Sequence, residues 1–257
     1  MKQKTNFDGA AKKFARCIYD SAKGKIRLAV LQRDLADLRN QTTPLKILDV
    51  GCGLGQMAVW FAQAGHDVTA CDVSSEMIAQ SQNLAAQNGV LENIHFFTAG
   101  LQELDDVLAN FDLIICHAVL EWIEDQPLFI AQLAQRLAAN GALSLMAFNK
   151  KALRFNHLIA GNFEHVQNGM QNRSRQRLGP NYPVCPDLLE KHLKINNLQT
   201  EYISGVRTFA DYVRKKDLVK ESEDLVLALE LAQSQDPQFL PIARYLHYFL
   251  RGSDVRA

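Results

Sequence analysis

The chain has 257 residues, 47% of them hydrophobic, and its 28 basic side chains balance 28 acidic ones. It is long enough to bury a proper core, and its composition excludes disordered, collagenous and disulfide-scaffold classes. No run of eighteen apolar residues occurs, and Met1-Lys2-Gln3-Lys4 leads into a polar stretch without a secretory apolar region, so a cytoplasmic protein without membrane spans is expected.

The predicted elements begin with Phe7, Phe14, Ile18, Tyr19, Ile26, Val30 and Leu31, whose helical spacing predicts helices over 7–39. Residues 46–50 have the length and flanks of a buried parallel strand, 56–63 carry apolar residues at helical spacing, and 67–71 read as a second strand with Asp72 at its carboxyl end. Ser74 is a candidate N-cap and Gly89 a stop for the next helix. Residues 94–98 and 111–116 predict the third and fourth strands, 127–139 a helix stopped near Gly141, and 142–148 the fifth strand. Such alternation predicts βαβ units and an α/β fold with a mostly parallel sheet. After Phe148 the rhythm breaks: 149–185 is polar, rich in Asn and Arg, and reads as an insertion over the strand ends. A helix near 186–193, a strand near 198–204, helix over 208–234 and a last strand over 245–250 complete the pattern. We therefore expect an N-terminal helical cover (1–45), a ligand-binding core (46–149) and a C-terminal part of the same domain (150–257) with a basic insertion and the closing strands.

The glycine run after the first strand carries chemistry. Gly51-x-Gly53-x-Gly55 departs from the Gly-x-Gly-x-x-Gly of dinucleotide folds, because Gln56 stands where the third glycine lets helix and strand pack closely. Asp49-x-Gly51-x-Gly53-x-Gly55 instead resembles motif I of class I methyltransferases, which bind S-adenosylmethionine. That resemblance implies a Rossmann-like, mostly parallel seven-stranded sheet. It also implies a cofactor-binding turn of Asp49, Gly51, Cys52 and Gly53, whose glycines let backbone approach the methionine moiety and ribose, and an Asp72 that accepts both ribose hydroxyls. The chemistry fits, since an ionised Asp is acceptor-only and vicinal hydroxyls donate. Leu101 and Gln102 follow the third strand, where related enzymes hold adenine.

Other residues narrow the acceptor. Cys52 reads as a small filler of the turn rather than a nucleophile. Methyltransferases that attack pyrimidine carbon commonly place Pro before their covalent Cys, whereas Ile115 precedes Cys116 here. Adenine amino-methylation would call for Asn/Asp-Pro-Pro-Tyr where the chain has Cys116-His117-Ala118-Val119-Leu120-Glu121-Trp122. His117 fits two roles equally, a lining residue of the cofactor site or a packed, satisfied histidine; Trp122 reads as packing. The five cysteines lack Cys-x-x-Cys spacing, so neither a disulfide framework nor a metal is expected.

Charge is strongly segregated. Residues 1–48 hold 11 basic against 4 acidic side chains, 49–149 hold 1 against 12, and 150–257 hold 16 against 12. Lys150, Lys151, Arg154, Arg173, Arg175 and Arg177 face only Glu164 within 150–177, a composition suited to phosphate contacts. A solvated face that offsets the acidic core is the plain alternative.

The segments "NFDGAAKKFARCIYDSAKGKIRLAVLQRDL", "CHAVLEWI", "GNFEHVQNGM", "GVRTFADYV" and "ARYLHYFLRG" resemble, along almost the whole chain, the bacterial tRNA 5-carboxymethoxyuridine methyltransferase family. That family esterifies the carboxylate of 5-carboxymethoxyuridine at the wobble position of tRNA. The resemblance implies the tRNA anticodon stem-loop as partner and Arg27 as ligand of the cofactor's methionine carboxylate. It makes Arg207, with Tyr19, the choice for the substrate's acid or the anticodon backbone. Cys52 and Leu54 depart from a more glycine-rich first turn, although Gly51 and Gly53 remain. A carboxylate is already ionised at neutral pH, so the reaction needs orientation and no general base. A quinone-type small-molecule methyltransferase and a non-catalytic tRNA-binding protein with this fold are the other two readings.

Overall fold

The computed structural model describes residues 21–104, 109–170 and 180–252; Tyr19, Arg173, Arg175 and Arg177 lie outside them. Strands β1 (Lys46–Val50), β2 (Asp67–Asp72), β3 (Ile94–Thr98), β4 (Phe111–His117), β5 (Leu137–Phe148), β6 (Leu198–Val206) and β7 (Tyr245–Gly252) form one sheet. Their order is β3-β2-β1-β4-β5-β7-β6, with β7 antiparallel to both neighbours and the other pairs parallel. Parallel neighbours require crossovers, and helices α3 (Gln56–Ala62), α4 (Ser75–Gln87) and α5 (Gln126–Gln135) lie on three of them. Helices α1 (Ala22–Asp34) and α2 (Ala36–Arg39) precede the sheet.

Both faces of the sheet are covered, which explains the near-continuous apolar strands. Alternation divides β4 between two cores. Leu113 and Ile115 join Val30, Leu31 and Leu35 near α1 together with Phe61 of α3, while Ile114 and Cys116 join Phe129, Ile130 and Leu133 of α5. Local signals set the helix ends. Ser74 accepts a hydrogen bond from Met77 N at 3.4 Å, and Gly89 takes a φ of +71° just past α4.

Two predicted boundaries are corrected. The helix expected over 127–139 stops at Gln135, and β5 already begins at Leu137, paired with Phe111. The apolar spacing of 133–139 mimics helix, but an irregularity between Phe111 and Leu113 and the left-handed Asn140 (φ +59°) carry the chain into the sheet. Residues 149–185 are less irregular than expected, containing α6 (Lys150–Ile159) and α7 (Phe163–Gln167). The segment leaves and rejoins the carboxyl end of β5, where Lys150 N donates to Val184 O and Val184 N to Phe148 O, both at 2.9 Å. It is followed by α8 (Pro186–Ile195), and the helical 208–234 resolves into a short turn, α9 (Lys216–Glu221) and α10 (Glu223–Gln233). Among the described residues, no helix is long and apolar enough to cross a membrane.

Candidate functional site

The glycine turn joins β1 to α3 at the carboxyl ends of the parallel strands, where open α/β sheets bind ligands. Gly51, Gly53 and Gly55 all have positive φ, between +54° and +79°. Space adds to the demand. A Cβ on Gly51 would lie 2.4 Å from Val119 Cγ2, and one on Gly55 would lie 1.9 Å from Ser81 Oγ and 3.2 Å from Ser81 Cα. Backbone therefore approaches α4 and the end of β4 as no other residue allows. Gly51 N and Cys52 N donate to Cys71 O at 2.8 and 3.0 Å, which ties the turn to β2.

Two aspartates flank the turn differently. Asp72 accepts from Gly53 N at 3.0 Å and Ser74 N at 2.9 Å, one on each carboxylate oxygen. A carboxylate offers about four acceptor positions, so the same oxygens also suit ligand hydroxyls. Asp49 is 4% exposed and accepts from the backbone N–H of Ala58 in the first turn of α3, where amides lack helical partners. Burial and the nearby Asp72 charge push its carboxyl up to about 7. Its contact is with the helix that carries the turn.

The buried thiols Cys52, Cys71 and Cys116 are poor nucleophiles. Burial raises Cys52 and Cys116 well above the ordinary range and pushes Cys71 up to about 12.

Across the strand ends stand Arg27 of α1, His117 at the end of β4 and Glu121. Each has a buried polar atom without a hydrogen-bond partner among the described residues: Arg27 Nε, His117 Nδ1 and Glu121 Oε2. Burial pushes the Glu121 carboxyl up to about 7, against the pull of Arg27. Burial, with the Arg27 charge adding to it, holds His117 well below its usual range, so the ring is neutral. Three such orphans near one another are costly in a folded chain unless a ligand meets them.

A second cluster lies beside the first. Arg207, in a left-handed conformation (φ +63°) at the end of β6, gives its Nη2 to both oxygens of Asp211. Arg244 Nε and Lys23 Nζ stand 3.8 and 3.7 Å from the same carboxylate. Burial would raise Asp211, but these cations outweigh it and hold the carboxyl below its usual range. Three cations around one anion leave positive charge for another. The guanidiniums of Arg27 and Arg207 lie 4.9 and 6.0 Å from the centre of the Tyr245 ring, so one aromatic residue links the two clusters. The turn after Arg207 is held by buried Glu230, which accepts from Thr208 N and Oγ, Phe209 N and Ala210 N at 2.6–3.1 Å.

The remaining candidates are dispersed. Leu101 is 1% exposed and packs in the core, and its carbonyl accepts from buried Arg136 Nη2 at 3.2 Å. Lys150, Lys151 and Arg154 are exposed on α6, with Lys151 paired to Asp187 at 2.7 Å. Asp211, Glu230, Arg244, Tyr245 and Glu121 were not among the sequence candidates. Glu230 carried a signal, as an acid within the apolar run Leu225-Val226-Leu227-Ala228-Leu229-Glu230-Leu231.

Residues 47–141 match a family model described as a methyltransferase domain. Over 252 residues, 97% of each protein, the chain is 36% identical to the tRNA 5-carboxymethoxyuridine methyltransferase of Escherichia coli (strain K12). It is 34% identical over 133 residues to the ubiquinone biosynthesis O-methyltransferase of Rickettsia conorii, which covers 51% of this chain and 45% of that one. Two solved structures share the fold. Magnesium protoporphyrin IX methyltransferase from Synechocystis PCC 6803 with bound SAH gives a TM-score of 0.64 at 19% identity, covering 96% of each chain. A plantazolicin methyltransferase in complex with SAH gives 0.59 at 16% identity, covering 98% of this chain and 91% of that one. The sheet order is thus that of a Rossmann-like class I methyltransferase, and the near full-length match extends through β6, β7 and the Arg207 cluster: the chain belongs to the tRNA 5-carboxymethoxyuridine methyltransferase family.

Proposed function

We infer that this protein transfers a methyl group from S-adenosylmethionine to the carboxylate of 5-carboxymethoxyuridine at position 34 of tRNA, forming the methyl ester. The observation that carries this reading is the 36% identity over 97% of both chains to a tRNA 5-carboxymethoxyuridine methyltransferase. S-adenosylmethionine supplies a methyl group on a sulfonium, open to attack by an anionic oxygen.

The chain's own groups suit the two ligands. Asp72 accepts the ribose hydroxyls while Gly53 N and Ser74 N orient it. Gly51, Cys52 and Gly53 offer backbone, Asp49 holds α3 behind them, and Leu101 offers backbone beside the adenine. Arg27, with its unpartnered Nε, takes the methionine carboxylate, and His117 lines the same end of the site. Arg207, steadied by Asp211, orients the substrate's carboxylate, with Tyr19 as its companion. An Arg fork fits a planar carboxylate in two places. Lys150, Lys151, Arg154, Arg173, Arg175 and Arg177 meet phosphates of the anticodon stem-loop. A tRNA substrate makes the cytoplasm the place of action.

The absence of a strong base among these groups is chemically consistent. Near neutrality the nucleophile is already charged, so rate comes from alignment and from a positive field around the acceptor. The quinone-type reading is weakened by the match to the ubiquinone enzyme, which spans only 51% of this chain and 45% of that one.

The test uses labelled S-adenosylmethionine and tRNA bearing 5-carboxymethoxyuridine, followed by mild alkali. An ester releases the label as methanol. Alkali-stable label on the wobble base would mean a carbon, nitrogen or ether acceptor and would sink the carboxylate reading.

A further inference from the structure

Beneath α1, four side chains form a hydrogen-bonded file across β7, β5 and β4. The Asp34 side chain, at the end of α1, is fully buried and accepts from His247 Nδ1 at 2.7 Å. His247 Nε2 lies 2.8 Å from Ser144 Oγ, and the same oxygen lies 2.8 Å from His117 Nε2. Asp34, His247 and Ser144 side chains are closed to solvent. The file ends at His117 Nδ1, buried and unpartnered among the described residues, with the Arg27 charge close enough to depress the ring's basicity.

Proton counting fixes the file's polarity. A serine hydroxyl has one proton, so Ser144 donates to one ring and accepts from the other. Arg33 already neutralises Asp34, giving Nε and Nη2 to Oδ1 at 3.0 and 2.5 Å. Asp34 is acceptor-only, so in the one-proton form of His247 that proton lies on Nδ1, facing Asp34. Its bare Nε2 takes the Ser144 proton. Ser144 in turn accepts from His117, whose one proton must lie on Nε2.

We propose that Asp34, His247 and Ser144 act as a buried relay that holds His117 in its Nε2–H tautomer, so that bare Nδ1 accepts a hydrogen bond from the ammonium group of the methyl donor's amino-acid portion. The ligand half of this inference rests on the methyltransferase reading above; the tautomer half does not. It gives the amino acid complementary partners, a guanidinium for its carboxylate and an imidazole lone pair for its ammonium. His117 is a positioning residue here, and so, at one and two removes, are Ser144, His247 and Asp34.

Asp34→Asn tests the relay from its far end. Arg33 still donates to Oδ1, so the new amide N–H₂ faces His247 Nδ1 and forces it to accept. Every donor in the file then reverses, and His117 Nδ1 gains a proton. Nitrogen NMR of the histidine rings reads this directly: wild-type His117 should show a bare Nδ1 and a protonated Nε2, Asp34→Asn the reverse, and Ser144→Ala a mixture. S-adenosylhomocysteine affinity should fall at least about tenfold in Asp34→Asn, as expected for a lost hydrogen bond to a charged group. The analogue lacking the α-amino group should lose far less. A proton on Nδ1 of wild-type His117 overturns the relay, and this measurement stands even if Asp34→Asn does not fold. Equal losses for both ligands overturn the ammonium contact. Failure of wild type to bind S-adenosylhomocysteine at all would instead overturn the methyltransferase reading, leaving the tautomer result intact.

Discussion

The two sides of the sheet are specified differently. On the β3-β2-β1-β4 side, the turn at 51–55, its helix and Asp72 lie within about two dozen residues, and every element is set by its own short stretch. On the β5-β7-β6 side, the Arg207 cluster draws on residues 23, 207, 211, 230 and 244, and the file under α1 joins residues 34, 117, 144 and 247. The first side is a local device that any member of the superfamily can carry. The second is assembled by long-range contacts between elements far apart in the chain.

This difference predicts where single changes hurt most. Gly55→Ala should be the most damaging, because the new Cβ meets Ser81 side chain and backbone while φ sits at +79°. Left-handed strain of about 1–2 kcal/mol and overpacking of about 1–3 kcal/mol act together. Gly65→Ala, at φ +87° with nothing within 4 Å of the added carbon, should show the strain alone. Thermal melts of both variants check this; equal losses would mean that close packing of the turn against α4 is unimportant.

Glu230→Gln should do less to the fold and more to the acceptor side. Each Glu230 oxygen accepts from at least one backbone N–H of 208–210. A glutamine must turn an N–H₂ toward one of those donors, which leaves a buried amide unmet at a cost of about 1–3 kcal/mol. Since that turn follows Arg207, methyl transfer to tRNA should slow while S-adenosylhomocysteine affinity holds. A variant that loses cofactor affinity as much as turnover would show that the two sides are not separable.

The same contrast governs what the sequence made legible. Strands β1 to β4, the Ser74 cap and the turn follow from alternation, glycine and capping, all readable within ten residues. The start of β5 was misread because Leu137-Ala138-Ala139 continues the helical spacing of α5; what ends the helix is pairing of Leu137 with Phe111, twenty-six positions away in sequence. Arg27 and Arg207 emerged only through family likeness, and Asp211, Glu230 and Arg244 did not emerge at all. A local pattern such as the acid in the apolar run at Glu230 does not name partners 20 to 22 positions away, and Arg244 lies 33 positions from Asp211. Ser144 and His247 left a trace, as polar residues inside Leu143-Ser144-Leu145-Met146 and Leu246-His247-Tyr248-Phe249, since a buried polar group implies a partner without naming it.

The smallest effect on the folded chain, and the sharpest on its partner, is expected from replacing Arg173, Arg175 and Arg177 together with Ser. These residues lie outside the described structure, and their charge alone points to an anionic partner. The central stretch 49–149 carries 12 acidic side chains against Arg136, and its negative field repels a polyanion; affinity for tRNA must come from the basic flanks. Each lost phosphate contact to single-stranded or duplex RNA should lower the slope of log affinity against log salt by about 0.7–0.9. Melting temperature and S-adenosylhomocysteine affinity should stay unchanged, because neither the glycine turn nor Asp72 is altered. Filter binding of tRNA across a salt series separates the outcomes. A weaker, flatter dependence makes the triplet part of the tRNA surface, whereas an unaltered slope makes it a solvated face and moves the burden to Lys150, Lys151 and Arg154 on α6.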